Sequence, residues 1–187
     1  MKKFVTAPSE ARLITGEELL AMGDIGPCEL IDGRIVPMAP AGIQHGTIEL
    51  NLGSALKQFV QQRELGWVAA GEVGIYTRRN PDRVRGADLV FISKGRLSSG
   101  LPQGFLEIAP ELIVEILSPE DRWQNVRQKI EEYFAIGVER VWVVDPENRA
   151  VLVYRSNTEM RQLGEGDILK GEGILEGFTL PVASLFQ

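Results

Sequence analysis

The sequence contains one cysteine and one histidine, Cys28 and His45. A lone cysteine has no partner for an intramolecular disulfide, which favours a reducing compartment such as the cytoplasm. One cysteine and one histidine also cannot build a zinc site of the cysteine-and-histidine kind. Any metal would therefore be held mainly by carboxylates, which are the ligands that magnesium and manganese prefer.

Long apolar runs are also missing. No stretch approaches the roughly 20 apolar residues of a membrane span, and the N-terminal MKKFVTAPSEARLIT lacks the apolar region of a secretory signal. The sequence has no phosphate-binding or dinucleotide-binding glycine motif and no nucleophile elbow. It therefore predicts a cytoplasmic protein with a single domain over residues 1–187.

The sequence has fewer basic than acidic residues: 20 Lys and Arg residues and 26 Asp and Glu residues give a net charge of −6. Contact with nucleic-acid phosphates needs local positive charge. The most basic stretch surrounds a predicted turn at residues 80–82 and contains Arg78, Arg79, Arg83 and Arg85. These side chains either bind nucleic acid or form the solvated tip of a hairpin.

Hydrophobic periodicity divides the chain into helices and strands. A helix over 15–22, capped by Thr15, and a hairpin over 28–38, with its turn at Asp32 and Gly33, are predicted first. The main elements then follow in the order helix, three strands, helix, strand, over 44–62, 67–77, 86–93, 111–118, 121–136 and 138–144. Ser118 is the expected cap of the second long helix. A strand over 150–154 and strand-like pieces in the tail complete the chain.

This order of elements predicts the topology. The unit over 111–144 is a strand, a helix and a strand, so its two strands should be parallel with a right-handed crossover. The three strands over 67–118 have shorter links and should form a mainly antiparallel meander. The predicted fold is therefore α/β, with a mixed sheet, helices on its faces and extra strands at both ends.

Glu115 is the most informative residue, because it lies inside the apolar strand sequence LIVEIL. Burial of an unpaired carboxylate costs several kcal/mol, so Glu115 needs a positive partner. It either belongs to a functional site or forms a structural salt bridge with a lysine. Lys129 fits the partner's place, because it lies beside the apolar stripe of the helix that follows.

Asp88 is the second candidate, at the start of the strand GADLVFIS. Aspartate is depleted in strands, so Asp88 either has a specific role or belongs to a turn before the strand. His45 and Glu49 lie one helical turn apart, and Glu72 lies on the first strand of the meander. Glu49 is a candidate metal ligand, whereas His45 and Glu72 are weaker candidates; a lone histidine is more often a residue at the surface or at the edge of the core.

The motifs ADLVFIS, PELIVEILSPEDR and KIEEYFAIGVERVWVVDP resemble the Uma2 family of putative restriction endonucleases, within the PD-(D/E)XK nuclease superfamily. The resemblance extends from the ELIDGRIV hairpin to the closing GFTLPVASLF, and residues 110–146 carry its most specific part. It implies the restriction endonuclease-like core of helix, three strands, helix and strand. That order is also the one that periodicity predicts.

The resemblance further implies that Asp88 and Glu115 hold Mg²⁺ or Mn²⁺, that Lys129 completes the catalytic set, and that Glu49 adds a ligand. The sequence departs from the superfamily pattern twice. Ala87 stands where a proline usually precedes the aspartate, and Leu117 stands where a lysine usually follows the glutamate. In this family the lysine is expected on the next helix, at Lys129.

Two functions are compatible with these residues. The first is a metal-dependent endonuclease that hydrolyses DNA and acts as a homodimer or a higher homo-oligomer, since two identical sites cut two strands most simply. The second is a non-catalytic nucleic-acid-binding or assembly protein that keeps the fold. The acidic net charge and the displaced lysine favour the second function, whereas the presence of Asp88, Glu115 and Lys129 together favours the first.

Overall fold

The computed structural model describes residues 12–98 and 100–187. Residues 1–11, which include most of the segment examined for a secretory signal, lie outside this part. The described α-helices are α1 (Gly16–Ala21), α2 (Ile43–Gln62) and α3 (Trp123–Ala135). The strands are β1 (Cys28–Ile31), β2 (Arg34–Pro37), β3 (Gly66–Arg78), β4 (Arg83–Ser93), β5 (Leu112–Ile116), β6 (Arg140–Asp145), β7 (Ala150–Tyr154), β8 (Met160–Leu163), β9 (Ile168–Lys170) and β10 (Thr179–Pro181).

Strands β1 to β8 form one mixed sheet, in which the order β2-β1-β4-β5-β6-β7-β8 is joined by β3 on the free edge of β4. Since β3 pairs with β4 along nearly its whole length, β1 and β5 must share the opposite edge. β1 pairs with β4 at Val84, and β5 pairs with it from Leu89 to Phe91. An opening, here called the β1/β5 gap, is left beside residues 85–88 of β4.

The two faces of the sheet are covered by different helices. Alternation along β4 sends Leu89 and Phe91 to one face, where they join a core cluster with Leu52 and Leu56 of α2. Val90 lies on the other face, in a cluster that includes Ile130 of α3. Each long helix therefore buries its apolar stripe against one side of the sheet, and both approach the β1/β5 gap.

The predicted topology is confirmed. β5 and β6 are parallel around α3, and β3, β4 and β5 form an antiparallel meander. α1 has the predicted capping box, in which the Thr15 hydroxyl accepts from the Glu18 N–H and the Glu18 carboxylate accepts from the Thr15 N–H. The hairpin turn places Asp32 and Gly33 at φ of 55° and 73°, as an Asp-Gly turn requires.

The predicted cap of α3 is wrong. The helix begins at Trp123, and its N-cap residue is Arg122, which makes no side-chain capping bond. Ser118 and Asp121 instead close a separate turn, because the Ser118 N–H donates to the Asp121 carboxylate and the Asp121 N–H donates to the Ser118 carbonyl. A side chain that caps a turn and one that caps a helix have the same local sequence signature.

The C-terminal segment folds back onto the α2 face. β9 and β10 form a small antiparallel hairpin, and Leu169, Phe178 and Leu185 join the core cluster around α2. Over residues 12–98 and 100–187, no helix combines the length and the apolar character that a membrane crossing requires.

Candidate active site

Asp88 and Glu115 lie at the end of the β4–β5 ladder, next to the β1/β5 gap. Leu89 pairs with Val114 in antiparallel register, so Asp88 and Glu115 occupy the next opposed positions. The ladder is closed there by Asp88 itself, whose Oδ2 accepts from the Ile116 N–H at 2.5 Å. Side chains at opposed positions of antiparallel strands project from the same face. The structure therefore brings these two carboxylates together on neighbouring strands.

Glu115 is buried, and each of its carboxylate oxygens has a partner from α3. The Tyr133 hydroxyl donates to Oε1 at 2.5 Å, and the Lys129 ammonium donates to Oε2 at 3.0 Å. Burial raises the pKa of Glu115 to about 7; the charge of Lys129 opposes this rise, and that of Asp88 adds to it. A carboxylate with a raised pKa inside a cluster of charged groups is a frequent property of functional sites.

Lys129 joins β1, β4 and β5. Its Nζ lies 3.0 Å from Glu115, 3.2 Å from Oε1 of Glu29 and 3.2 Å from the carbonyl oxygen of Gly86. The contacts with Glu115 and Gly86 are hydrogen bonds and use two of the three ammonium hydrogens, and the contact with Glu29 is an ion pair. Burial alone would lower the pKa of Lys129, but the charges of Glu115 and Glu29 outweigh burial and raise it, so the ammonium stays charged.

His45 connects Asp88 to the start of α2. Its Nε2 lies 3.1 Å from Asp88 Oδ1, and the side chain is only 11% exposed. This hydrogen bond raises the pKa of His45, although burial acts in the opposite direction. Within the described part of the chain, the buried Nδ1 has no hydrogen-bond partner. A buried ring nitrogen without a partner is uncommon in folded proteins and marks a position that a water or a ligand can complete.

Glu72 approaches the site from a bulge in β3. The register of β3 against β4 shifts between Ala70 and Val73, and the two bulged residues, Gly71 and Glu72, have φ of 89° and 57°. A side chain at Gly86 would put its Cβ 2.5 Å from Glu72 Oε2, so the glycine leaves room for that carboxylate. Packing around the carboxylate and the charge of Asp88 raise the pKa of Glu72.

Glu49 holds this bulge from α2. Its Oε1 accepts a hydrogen bond from the Gly71 N–H at 2.7 Å. The structure thus places Glu49 next to the residue that precedes Glu72, and its role as a metal ligand stays a prediction. The charge of Glu49 also contributes to the raised pKa of His45, so the two α2 side chains lie in the same electrostatic environment.

The four arginines of the basic stretch over residues 78–85 do not surround Asp88 and Glu115 as free cations. All four pair with carboxylates, in the combinations Arg78–Asp32, Arg79–Glu17, Arg79–Asp82, Arg79–Glu107, Arg83–Asp32, Arg83–Glu132, Arg85–Glu29 and Arg85–Glu132. Arg85 is buried, whereas Arg78 and Arg79 keep about two fifths of their side-chain surface exposed. Their role in binding nucleic acid stays a prediction, with Arg78 and Arg79 as the accessible pair.

Three residues that bind the charged side chains of the site were not identified from the sequence. Glu29 is buried on β1 and binds both Lys129 and Arg85, Tyr133 binds Glu115, and Glu132 binds Arg85. Tyr133 lies in the core cluster on the α3 face, so its position in the sequence is that of an ordinary apolar core residue. Glu29 did carry a signal, since it is a carboxylate within the apolar strand sequence CELI, as Glu115 is within LIVEIL.

Across residues 12–98 and 100–187, no group of three or more His, Cys, Asp or Glu side chains is arranged so that it could hold one metal ion. The two carboxylates that face each other at the candidate site are those of Asp88 and Glu115. Magnesium is commonly bound by only one or two protein carboxylates, with waters and substrate phosphates completing its shell. The carboxylates of Asp88 and Glu115 are chemically suited to be the protein ligands of such a magnesium ion.

Comparison with known proteins assigns the chain to a family. The Uma2 model, described as "Putative restriction endonuclease", matches residues 17–183. A solved structure of a putative nuclease of the DUF820 group from Anabaena variabilis ATCC 29413 has the same fold, with a TM-score of 0.79. It is 22% identical to this chain, and the match covers 92% of this chain and 97% of that protein. None of the curated proteins matches. The chain belongs to the Uma2 family of putative restriction endonucleases.

Proposed function

We propose that this protein is a metal-dependent endonuclease that hydrolyses phosphodiester bonds in DNA. The observation that carries the proposal is the meeting of Asp88, Glu115 and Lys129 at the β1/β5 gap, where two strands and α3 converge. A purely structural ion pair would need one acid and one base. Here a second buried carboxylate, that of Asp88, stands opposite Glu115; burial is the main cause of the raised pKa of Glu115, and the charge of Asp88 adds to it.

Asp88 and Glu115 would hold Mg²⁺ or Mn²⁺. The ion would polarise the scissile phosphate and lower the pKa of the attacking water. His45 would orient Asp88, because its ring already bonds Oδ1, and Tyr133 would orient Glu115 in the same way. Neighbours that fix carboxylate ligands are a regular feature of metal sites.

Lys129 would stabilise the negative charge that develops on the phosphate. It donates hydrogen bonds to Glu115 and to the Gly86 carbonyl, and it forms an ion pair with Glu29. A phosphate oxygen could accept a hydrogen bond from Lys129 through the third hydrogen or by exchange of one of these contacts. The contact with Glu115 is the natural one to exchange, because a metal bound to that carboxylate would replace the ammonium as its counter-charge.

The alternative is a non-catalytic nucleic-acid-binding or assembly protein that keeps the fold. Two observations favour it. The net charge of the chain is −6, and the four arginines of the predicted basic patch all pair with carboxylates. A binding protein, however, has no use for the acidic pair of Asp88 and Glu115, which would repel phosphate without a metal.

The test is incubation of the purified protein with supercoiled plasmid DNA and MnCl₂ or MgCl₂, with EDTA as the blank. We expect nicked and linear products that disappear for Asp88→Ala. Asp24→Ala is the matched control, because Asp24 is exposed and lies outside the cluster. A parent protein that never cleaves DNA, while it retards DNA in a gel, would support the binding function instead. A structured RNA assayed in parallel separates DNA from RNA as the substrate.

We further propose that the active form is a homodimer or a higher homo-oligomer. Two identical sites related by a two-fold axis suit the two strands of a duplex. Sedimentation velocity at micromolar concentration, with and without duplex DNA, measures the assembly directly. A monomer under both conditions contradicts this part of the proposal and leaves the chemistry of a single site untouched.

A further inference from the structure

A groove away from the candidate active site lies between β8 and β9. Its volume is about 770 Å³, and it is lined by residues of β8, of the turn over 164–167 and of β9. Among the described strands, β8 is an edge strand of the large sheet, at the end opposite to β2, and β9 pairs only with β10. Each strand therefore has one edge without a neighbouring strand, and both strands contribute to the same groove.

The two strands are connected as a hairpin, but they do not pair. The Asp167 N–H donates to the Gly164 carbonyl at 2.9 Å, and the Gly164 N–H donates to Asp167 Oδ2 at 2.8 Å, so the turn is tight. Beyond it, β8 stays with β7 while β9 joins β10. At the opposite end of the groove, the Arg155 guanidinium binds the Glu172 carboxylate at 2.6 Å, which links the end of β7 to the end of β9.

The alternation of the ladders identifies the free backbone groups of β8. The Arg155 N–H donates to the Glu159 carbonyl, so these residues form a hydrogen-bonded pair. Hydrogen-bonded and non-hydrogen-bonded pairs alternate along an antiparallel ladder. Met160 and Gln162 fall on the intervening positions, so their N–H and C=O groups point away from β7, toward the free edge of β8.

The same reasoning applies to β9. The Gly171 N–H donates to the Phe178 carbonyl, which fixes the hydrogen-bonded pairs between β9 and β10. Ile168 and Lys170 therefore direct their N–H and C=O groups away from β10. The two strands that line the groove thus offer two residues each, with donors and acceptors at the spacing of an extended chain.

The side chains of the groove add apolar surface and positive charge. Met160 and Ile168 are 47% and 50% exposed. Arg155 pairs with Glu159 and Glu172, and Glu172 also pairs with Arg140, which is outside the lining. Arg161 and Lys170 have no ion-pair partner within the described residues. Asp167 is the remaining acid of the lining, and its carboxylate is engaged by the turn. The lining thus holds three basic and three acidic residues, and its basic side chains without an ion-pair partner in the described structure are Arg161 and Lys170.

We propose that this groove binds an extended, acidic segment of a partner protein, which adds a strand to the free edge of β8. Main-chain hydrogen bonds from Met160 and Gln162 would give affinity, as in other complexes formed by strand addition. Glutamate or aspartate side chains of the partner would pair with Arg161 and Lys170, and alternate apolar side chains would cover Ile168. The proposal is independent of the nuclease chemistry, because none of these residues belongs to the candidate active site.

The probe is a fluorescein-labelled peptide of alternating valine and glutamate residues with blocked ends, titrated with the full-length protein and followed by fluorescence anisotropy. We expect saturable binding in the micromolar range, weakened about tenfold by Arg161→Glu, which corresponds to about 1.4 kcal/mol.

The matched backbone test compares Gln162→Pro with Gln162→Ala. Proline is tolerated where an edge N–H faces away from the sheet, and it removes only that donor. Gln162→Pro should weaken binding while Gln162→Ala should not.

A second measurement leaves the protein unchanged. A probe N-methylated at alternate backbone nitrogens cannot form one of the two hydrogen-bond ladders, so it should bind more weakly than the parent peptide even if Gln162→Pro does not fold. Three results overturn the proposal: no saturable binding at millimolar peptide, equal binding of a valine-lysine peptide, or full competition by a small apolar acid such as benzoate. The last result would identify the groove as a small-molecule site.

Discussion

Lys129 and Glu115, fourteen residues apart in the chain, meet with 3.0 Å between Nζ and Oε2. The contact is possible because α3 crosses back over the strand that precedes it, as a strand-helix-strand unit requires. The same ammonium also lies 3.2 Å from Glu29 on β1. One side chain therefore connects the nuclease-like core to the N-terminal hairpin, and its removal should affect both stability and function.

Lys129→Met should lower the free energy of unfolding by about 3 kcal/mol without metal, because it leaves buried carboxylates without their ammonium. Urea denaturation in EDTA measures this loss. Glu115→Gln combined with Lys129→Met should recover part of it, since the negative charge of Glu115 is then gone while that of Glu29 stays, and the two changes should be non-additive. Lys57→Met, at an exposed position of α2, is the control and should change stability little.

Added Mn²⁺ should separate the loss of stability of Lys129→Met from its loss of cleavage activity. If Mn²⁺ supplies the counter-charge of Glu115, it should stabilise Lys129→Met against heat more than it stabilises the parent. Cleavage should still fall by at least about tenfold, since a metal cannot replace the ammonium at the phosphate. Full cleavage by a folded Lys129→Met protein would refute the role that we assign to this lysine.

Gly86→Ala should impair the site while it leaves the fold intact. The new Cβ would stand 2.5 Å from Glu72 Oε2, so the carboxylate must move away. That atom is the end of a flexible side chain, and alanine suits a strand better than glycine by roughly 0.5 kcal/mol. We therefore expect an unchanged or slightly higher melting temperature and a drop in cleavage. Plasmid nicking rates and differential scanning fluorimetry together check this.

Two controls accompany Gly86→Ala. Gly95→Ala introduces a Cβ whose nearest neighbour is Ser93 Oγ at 3.6 Å, an ordinary contact, and it should leave cleavage unchanged. In a Glu72→Ala background, Gly86→Ala should have no further effect, because the carboxylate that it displaces is already absent. Additive losses would show that Gly86 acts by some route other than Glu72.

Glu49→Gln and Glu49→Leu separate two roles of this side chain. Its Oε1 accepts from the Gly71 N–H, and a glutamine can still accept that bond, whereas a leucine cannot. If Glu49 fixes the β3 bulge, Glu49→Gln should behave like the parent, and only Glu49→Leu should speed hydrogen exchange of the Gly71 amide. If Glu49 binds the metal, both variants should weaken Mn²⁺ binding in calorimetric titration.

The sequence predicted the parts of the site that depend on regular periodicity. Strand alternation and the helical stripe singled out Glu115 and Lys129, because both lie inside strongly patterned elements, whereas the pairing of Asp88 with Glu115 also needed the resemblance to the family. The bulge in β3 was not predicted, since its second residue, Glu72, adopts φ of 57° although it is not glycine. The bulge is bonded through the Gly71 N–H to Glu49 of α2, a contact that has no local signature in the sequence.

The interpretation of the arginines was limited for a similar reason. Four positive charges around a turn look the same in sequence whether they face solvent or carboxylates. The acids that pair with Arg83 and Arg85 come from β1, from the turn after it and from α3, that is, from Glu29, Asp32 and Glu132. Partners more than 45 residues away along the chain are set by the sheet order, and β1 beside β4 is not a pairing of consecutive strands.

Glu132 gives a prediction for acid stability. Its side chain is 12% exposed and binds both Arg83 and Arg85. Burial would raise the pKa of Glu132, but the hydrogen bond and charge of Arg85 outweigh burial, so its pKa lies below the ordinary value of 4.5. A carboxyl whose pKa is lower in the folded state stabilises the fold fully above its unfolded pKa. This contribution is lost as the pH falls below 4.5 and through the folded pKa.

Glu132→Gln should therefore cost about 3 kcal/mol at pH 7, where the parent carboxylate is ionised and two arginines would lose their partner. The cost should shrink as the pH falls below 4.5, because the parent then begins to lose the same charge. Urea denaturation at pH 7 and at about pH 3 measures the difference. Glu131→Gln, on the exposed side of the same helix, is the control and should give a small effect at both pH values. A cost for Glu132→Gln that is equal at both pH values would mean that its hydrogen bonds, and not its charge, stabilise the fold.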